Sequence, residues 1–469
     1  MLFGRRNNCV RFRTSDETNT RPVHAWTLSK RGIMLSCPVA HGSPVDTDDD
    51  RFSLADETYT SDPHAALEQL REKYGALAPI NLAEGVPATL VLGYRAAVRI
   101  LFDPEHFPAN PRQWEATVAE DCPLLPMLAW RPAARYTDGT EHAGLREVSR
   151  AAIDPVDLYA MHATVEDLAT AIVNTWIEAG SADLASQYAL PLVFAVLNNL
   201  IGCPTDIGKR VTAGMAARFD STASAERGMN MLIDALSELV QHKRDQPGDD
   251  MTTRLIDHPL KLSDEKIVAQ LASFYGAGIE ATRNLILNAV YLLLTDDSFG
   301  GSVLGGNLSP RDAVDWVLFN NPPMVNFCIT YPKQPVLVDN TWLPAHQPVV
   351  ICILACNLDP DADGELSIAG PHTDPDAVDR TGNRSHLAFG TGNHACPARD
   401  VAYQLAVDAL VYLLDLVPEI RLAKPAEELG LRPGPFQRAL EALPVVFPRA
   451  KPILQAQRTR PRDSQPTRG

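Results

Sequence analysis

Cys396 is the residue whose position in this chain most favours chemistry. It stands in HLAFGTGNHACPARDVAYQLAVDALVYLL, from His386, where a glycine-rich loop runs into an amphipathic helix. A helix start presents unpaired backbone N–H groups and the positive end of the helix dipole, and both favour thiolate over thiol. Gly390 and Gly392 let the loop turn tightly and approach a flat cofactor, while Phe389 offers an apolar lid beside the sulfur. The same position also suits a small, buried, apolar cysteine, so helix placement alone leaves the role open. Zinc is the competing metal for His394 and Cys396, but a structural zinc site requires paired Cys or His ligands twice over. No second pair is well placed. Cys352 and Cys356 lie in a β-like apolar run, where a spacing of four puts them on one face and burial accounts for them.

Two further segments carry groups that can move protons or hold anions. KLSDEKIVAQLASFYGAGIEATRNLILNAVYLLL opens on a Ser-Asp-Glu helix start and then runs as one long helix, with Gly276 and Gly278 inside it at a cost to helix stability. Small residues there, followed by Glu280 and Thr282, let a flat ligand approach while an acid and an alcohol relay protons. A helix–helix packing notch beside a solvated Glu280 fits equally well. In YTDGTEHAGLREV, His142 and Arg146 are four apart and share a helix face, so an anion can bridge them; a solvated His and a surface Arg is the plainer reading.

The elements that must position these groups are mostly helical. HAALEQLREKYG, DLATAIVNTWIEAG, MLIDALSELVQHKRD and DVAYQLAVDALVYLLDLV repeat apolar residues three and four apart, while PATLVLG, QPVLVDNTWLPAHQPVVICILA and ALPVVFP read as short strands. With 469 residues, 45% of them hydrophobic, the chain can bury a large core. The absence of internal repeats and low-complexity linkers favours one large mixed domain over two. Its 58 acidic against 42 basic residues, a net charge of -16, argue against a general nucleic-acid binder but leave room for a basic partner on a local patch. Eight cysteines spread over the whole length lack the density of a disulfide-stapled domain and point to a reducing cytoplasm. No charge-free stretch reaches membrane-spanning length, so a soluble protein is expected. Residues 1–33 read as a disordered extension, with Met34 as a second plausible start; 34–448 form the folded body and 449–469 a solvated basic tail.

Phe389-Gly390-x-Gly392-x-His394-x-Cys396 resembles the haem-binding signature of the cytochrome P450 family. Ala277-Gly278-Ile279-Glu280-Ala281-Thr282 is similar to the family's oxygen-activation motif, and His142-x-x-x-Arg146 to the helix that holds its haem propionates. The likeness covers essentially the whole body, including LRPGPFQRALEALPVVF, and is nearest to the soluble actinobacterial branch. It implies a mainly α, triangular-prism domain with small β-sheets, holding haem b with Cys396 as axial thiolate. It also implies cofactor contacts from His142, Arg146, Phe389, Gly390, Gly392 and His394, with Gly278, Glu280 and Thr282 at the oxygen site and the latter two as proton relay. The reaction implied is insertion of one oxygen atom into a small apolar organic substrate, using electrons from ferredoxin and ferredoxin reductase. Residues 104–130 lie where the family builds a variable lid, and their Trp, Phe, Leu and Met give either an apolar pocket rim or plain packing.

Several positions depart from the family pattern. Ala281 stands where a threonine is usual, and Ala398 where a glycine is usual. Counting back from Pro322-Pro323, Trp316 and Phe319 replace the Glu and Arg of a buried ion network, leaving Arg380 as its third member. Ile329 lies near the position of a propionate-binding Arg. These changes keep two other readings open: a haem-binding protein that has lost monooxygenation, or a haem enzyme for oxidative coupling, ring closure or peroxide-driven chemistry.

Overall fold

The structure, a computed structural model, describes residues 51–217, 222–305, 308–360, 384–432 and 434–453. The N-terminal extension, the alternative start at Met34, Arg380 and the chain beyond residue 453 lie outside them.

One long helix, Asp264–Thr295, sets the frame. Ser263 caps it by accepting the Lys266 N–H, and Asp264 and Glu265 put negative charge in its first turn, where the helix dipole favours it. Its 32 residues span roughly 48 Å. Helices Leu190–Ile201, Thr222–Asp245, Pro310–Asn320 and Arg399–Leu416 pack against it, so Leu285, Ile286, Leu287, Ala289 and Val290 are all buried. Tyr275 fixes one crossing by stacking on Phe194 and donating its hydroxyl to Asn198 at 2.7 Å.

A five-stranded sheet lies beside the helices, in the order Phe52–Ser53, Leu77–Ala83, Val86–Val91, Val349–Cys352, Asn326–Thr330. Leu77–Ala83 and Val86–Val91 form a hairpin closed by Gly85 at φ +69°, and their side chains are buried on both faces. A separate hairpin joins Val336–Val338 to Thr341–Leu343 through Asp339 and Asn340, both at positive φ, the backbone that a tight two-residue hairpin turn requires.

Two expectations change at the element boundaries. The apolar run through Cys352 and Cys356 does not continue as a strand: Cys352 caps a short helix, Ile353–Asn357, whose Ala355 N–H points at its sulfur. The two thiols therefore sit on different elements, and burial pushes both pKa values up, Cys352 to about 12. Nor does the packing against the helical body stop at residue 448. Asn174 exchanges two hydrogen bonds with the Ile453 backbone, at 2.7 and 2.9 Å, and holds the chain to the helical body at that point.

Around Trp316 and Phe319, which replace the charged pair of the resemblance, the packing is apolar and amide-based. Trp316 packs beside Phe299, and buried Phe319 meets His386 edge-on, with ring centroids 5.1 Å apart. Asn357 donates to the carbonyls of Leu318 and Phe319 at 3.0 and 3.1 Å and accepts the Leu387 N–H at 2.8 Å. One buried amide thus ties the end of helix Pro310–Asn320 to the loop that leads to Cys396. It satisfies groups that would otherwise be costly to bury, and it needs no charge.

Candidate functional site

The loop before helix Arg399–Leu416 is held by its own backbone. Gly390 donates to Leu387 O at 2.8 Å, Cys396 to Phe389 O at 2.8 Å, and Ala395 to Gly392 O at 3.2 Å. Gly390 and Gly392 both adopt positive φ, +64° and +69°. Gly392 also presses on helix Tyr94–Leu101, where a Cβ would come within 2.2 Å of Leu101 O; no other residue fits. The ring of Phe389 lies near His386, with the Arg399 guanidinium 5.8 Å from its centre.

Cys396 itself is held in tension between burial and charge. Burial pushes its thiol pKa up, while the Ala398 N–H and the guanidiniums of Arg146 and Arg399 pull it down. The net direction is upward. The helix-start environment therefore does not by itself make a thiolate here; a directly bound cation has to complete the charge balance.

His142 and Arg146, on helix Gly139–Ile153, reach this loop together. His394 stacks on His142 with centroids 4.0 Å apart. The His142 ring nitrogens face Ala134 O at 2.9 Å and Asn393 O at 3.1 Å, and Arg146 donates to Ala395 O. Both residues thus spend donors on clasping the loop to its surroundings.

The middle of the long helix is open. Gly276 and Ala277 are exposed and Ala281 partly so, just before a stretch, Thr282 to Val290, that is buried throughout. Gly278 instead provides a packing notch, since a Cβ there would meet Leu197 at 3.2 Å. Thr282 is buried, about 100° around the helix from Ala281. Glu280 is partly shielded rather than freely solvated. Arg432 places a nitrogen 2.5 Å from its carboxylate, Arg283 lies 3.9 Å away, and Arg432 also reaches Asn284 at 3.5 Å. Sequence reasoning had no signal for Arg432, which belongs to a two-residue strand, Leu431–Arg432, near the end of the body.

In the expected lid segment, Phe107, Trp114, Leu124 and Leu128 are buried, and Trp114 packs on Tyr331 at 5.7 Å. Those residues therefore serve packing. Arg112, exposed, lies over the Trp130 ring at 4.2 Å.

The donor set fits a haem better than a bare ion. Cys396 offers one sulfur, and among the described residues no group of three or more His, Cys, Asp or Glu side chains can hold a metal. A lone thiolate suits a metal that brings its other ligands in a macrocycle. Among these residues Cys396 would hold the iron, with Arg146, Phe389 and Arg399 around it.

Known proteins resemble the chain in sequence and in fold. No family model matches the chain. It is 26% identical to a 2-hydroxy-5-methyl-1-naphthoate 7-hydroxylase of Streptomyces carzinostaticus, over 79% of this chain and 91% of the relative. It is also 26% identical to the cytochrome P450 monooxygenase PikC of Streptomyces venezuelae, over 84% and 93%. The solved structure of CYP154C4 from a Streptomyces species superposes with a TM-score of 0.75 at 27% identity, covering 85% of this chain and 98% of that one. The mainly helical fold with small sheets is the fold of those enzymes.

Proposed function

We propose that this chain, a cytochrome P450 of the actinobacterial type by sequence and by fold, is a monooxygenase inserting one atom of dioxygen into a small apolar organic substrate. Enzymes of this kind carry haem b on a cysteine thiolate, and Cys396 is that ligand in our reading. The observation that carries it is a buried sulfur at the end of a glycine loop, with no cluster of metal ligands among the described residues. When bound, haem supplies a redox-active iron whose thiolate ligand favours O–O cleavage.

The chain's own residues do the rest. Arg146 and Arg399 place positive charge beside the sulfur. Gly276, Ala277 and Ala281 keep one stripe of the long helix free of bulk, which leaves room for dioxygen and substrate. Glu280 is anchored by Arg432, so it must exchange that partner before it passes a proton. Ala281 offers no hydroxyl, and Thr282 is turned into the core. Water or a substrate hydroxyl therefore delivers the proton. Electrons come from ferredoxin and ferredoxin reductase in this reading.

One relative is named for hydroxylating a substituted naphthoate, and we place the present substrate in the same broad class of secondary metabolites. A cytoplasmic location suits the six described cysteines, all unpaired, and no described helix is long and apolar enough to cross a membrane.

The test is spectroscopic first. The reduced, carbon monoxide-bound protein should absorb at the thiolate-haem position, and Cys396→Ala should abolish that band. An unchanged band in the variant defeats the assignment. Candidate substrates with NADPH and the redox chain should then yield a product heavier by one oxygen. A binder without turnover would show the band and no product, and a coupling or ring-closing enzyme would give product without added oxygen. The named activities of the relatives favour neither.

A further inference from the structure

His142 and Arg146 already donate to backbone carbonyls, and Ile329 occupies the neighbourhood of an expected cation. A cofactor with carboxylates needs another positive partner. Arg135, in the single turn Ala134–Tyr136, is in a position to be one. Its guanidinium lies 4.6 Å from the centre of the Phe327 ring and 5.0 Å from that of Tyr136, and it makes no hydrogen bond or ion pair with another described residue. All five of its N–H donors are uncommitted among those residues, which is unusual for a half-buried arginine.

Contacts of its neighbours bring this guanidinium toward the Cys396 loop. The Ala134 carbonyl, one residue before Arg135, faces a ring nitrogen of His142, whose other nitrogen faces Asn393 O of the loop. Cys328, next to Phe327, stands at φ +50° with its sulfur against Gly390, 3.2 Å from where a Cβ would be. The buried Cys328 thiol also feels both Arg135 and Cys396. The same strand carries Thr330, 5% exposed, whose hydroxyl has no hydrogen-bond partner. Thr330 and Arg135 thus both carry polar atoms without a hydrogen-bond partner among the described residues.

We propose that Arg135 binds a carboxylate of the haem, replacing from a different element the cation absent near Ile329. The inference rests on the haem reading above. Stacking on Phe327 holds the guanidinium in place while its N–H fork stays free for a charge-assisted, bidentate bond.

The test compares haem b with its dimethyl ester, which lacks the carboxylates, in the parent protein, Arg135→Gln and Arg135→Lys. The readout is the rate of transfer to excess apomyoglobin. With haem b, R135Q should lose cofactor roughly tenfold faster than the parent, and R135K should fall between them. With the ester, all three should transfer at the same rate. Equal rates with haem b overturn the proposal. So does a difference that persists with the ester, because Arg135 would then act only through packing. Thermal unfolding of the cofactor-free proteins shows whether R135Q folds; if it does not, R135K carries the comparison. A parent protein that takes up neither cofactor sinks the haem reading itself.

Discussion

Arg432 holds Glu280 across 152 residues of sequence, with a nitrogen 2.5 Å from the carboxylate. Glu280 is the acid that the sequence singles out for proton transfer, and in the fold it is one member of a polar cluster that also contains Arg283 and Asn284. The pair is partly shielded, its side chains 31% and 18% exposed, so it is neither a surface bridge of negligible worth nor a fully desolvated one.

A double-mutant cycle measures that pair. Arg432→Gln and Glu280→Gln should each destabilise the protein by about 1–2 kcal/mol, and the two together by clearly less than the sum. Urea unfolding of the four proteins is the measurement. Strict additivity would show that the contact contributes nothing.

Ala281 faces the open stripe and Thr282 faces the core. Ala281→Thr should therefore raise the product formed per NADPH consumed and lower peroxide release, with any substrate that turns over. Thr282→Ala should leave that ratio nearly unchanged and cost about 1 kcal/mol in stability through lost packing. The opposite pattern would make Thr282 the relay.

Asn357 makes three hydrogen bonds that join Leu318, Phe319 and Leu387. Asn357→Leu should cost about 2–4 kcal/mol in denaturant unfolding, because it strands two carbonyls and one N–H in a buried place. Haem content should fall with it. A loss below about 0.5 kcal/mol would mean that the amide is replaceable.

His386 gives the protein an acid-sensitive joint. Burial, then the nearby Arg399 and Arg384, lower its pKa from 6.5 to about 4. The unfolded chain thus binds a proton between those values that the native state refuses, so stability falls as pH drops through this window. His386→Leu should flatten the acid limb, with a gain relative to the parent of about 2 kcal/mol at pH 5. Parallel acid limbs for parent and variant would rule His386 out as the cause.

The local signals were legible in the sequence because short-range physics writes them. A helix period, a Ser cap, glycines at positive φ and a cysteine at the loop's end depend on neighbours a few residues away, and Gly390, Gly392, Cys396 and Ser263 all stand where those rules put them. The helical class and the small strands followed from the same periodicities. The partners did not, since a pairing between distant residues leaves no trace in spacing. Only the tertiary structure puts Arg432 on Glu280, turns Thr282 inward, spends the donors of His142 and Arg146 on backbone carbonyls, and leaves Arg135 uncommitted beside Phe327. It also substitutes Asn357 and the Phe319–His386 contact for an ion network, because a buried site demands satisfied polar atoms and filled volume without specifying which residues supply them.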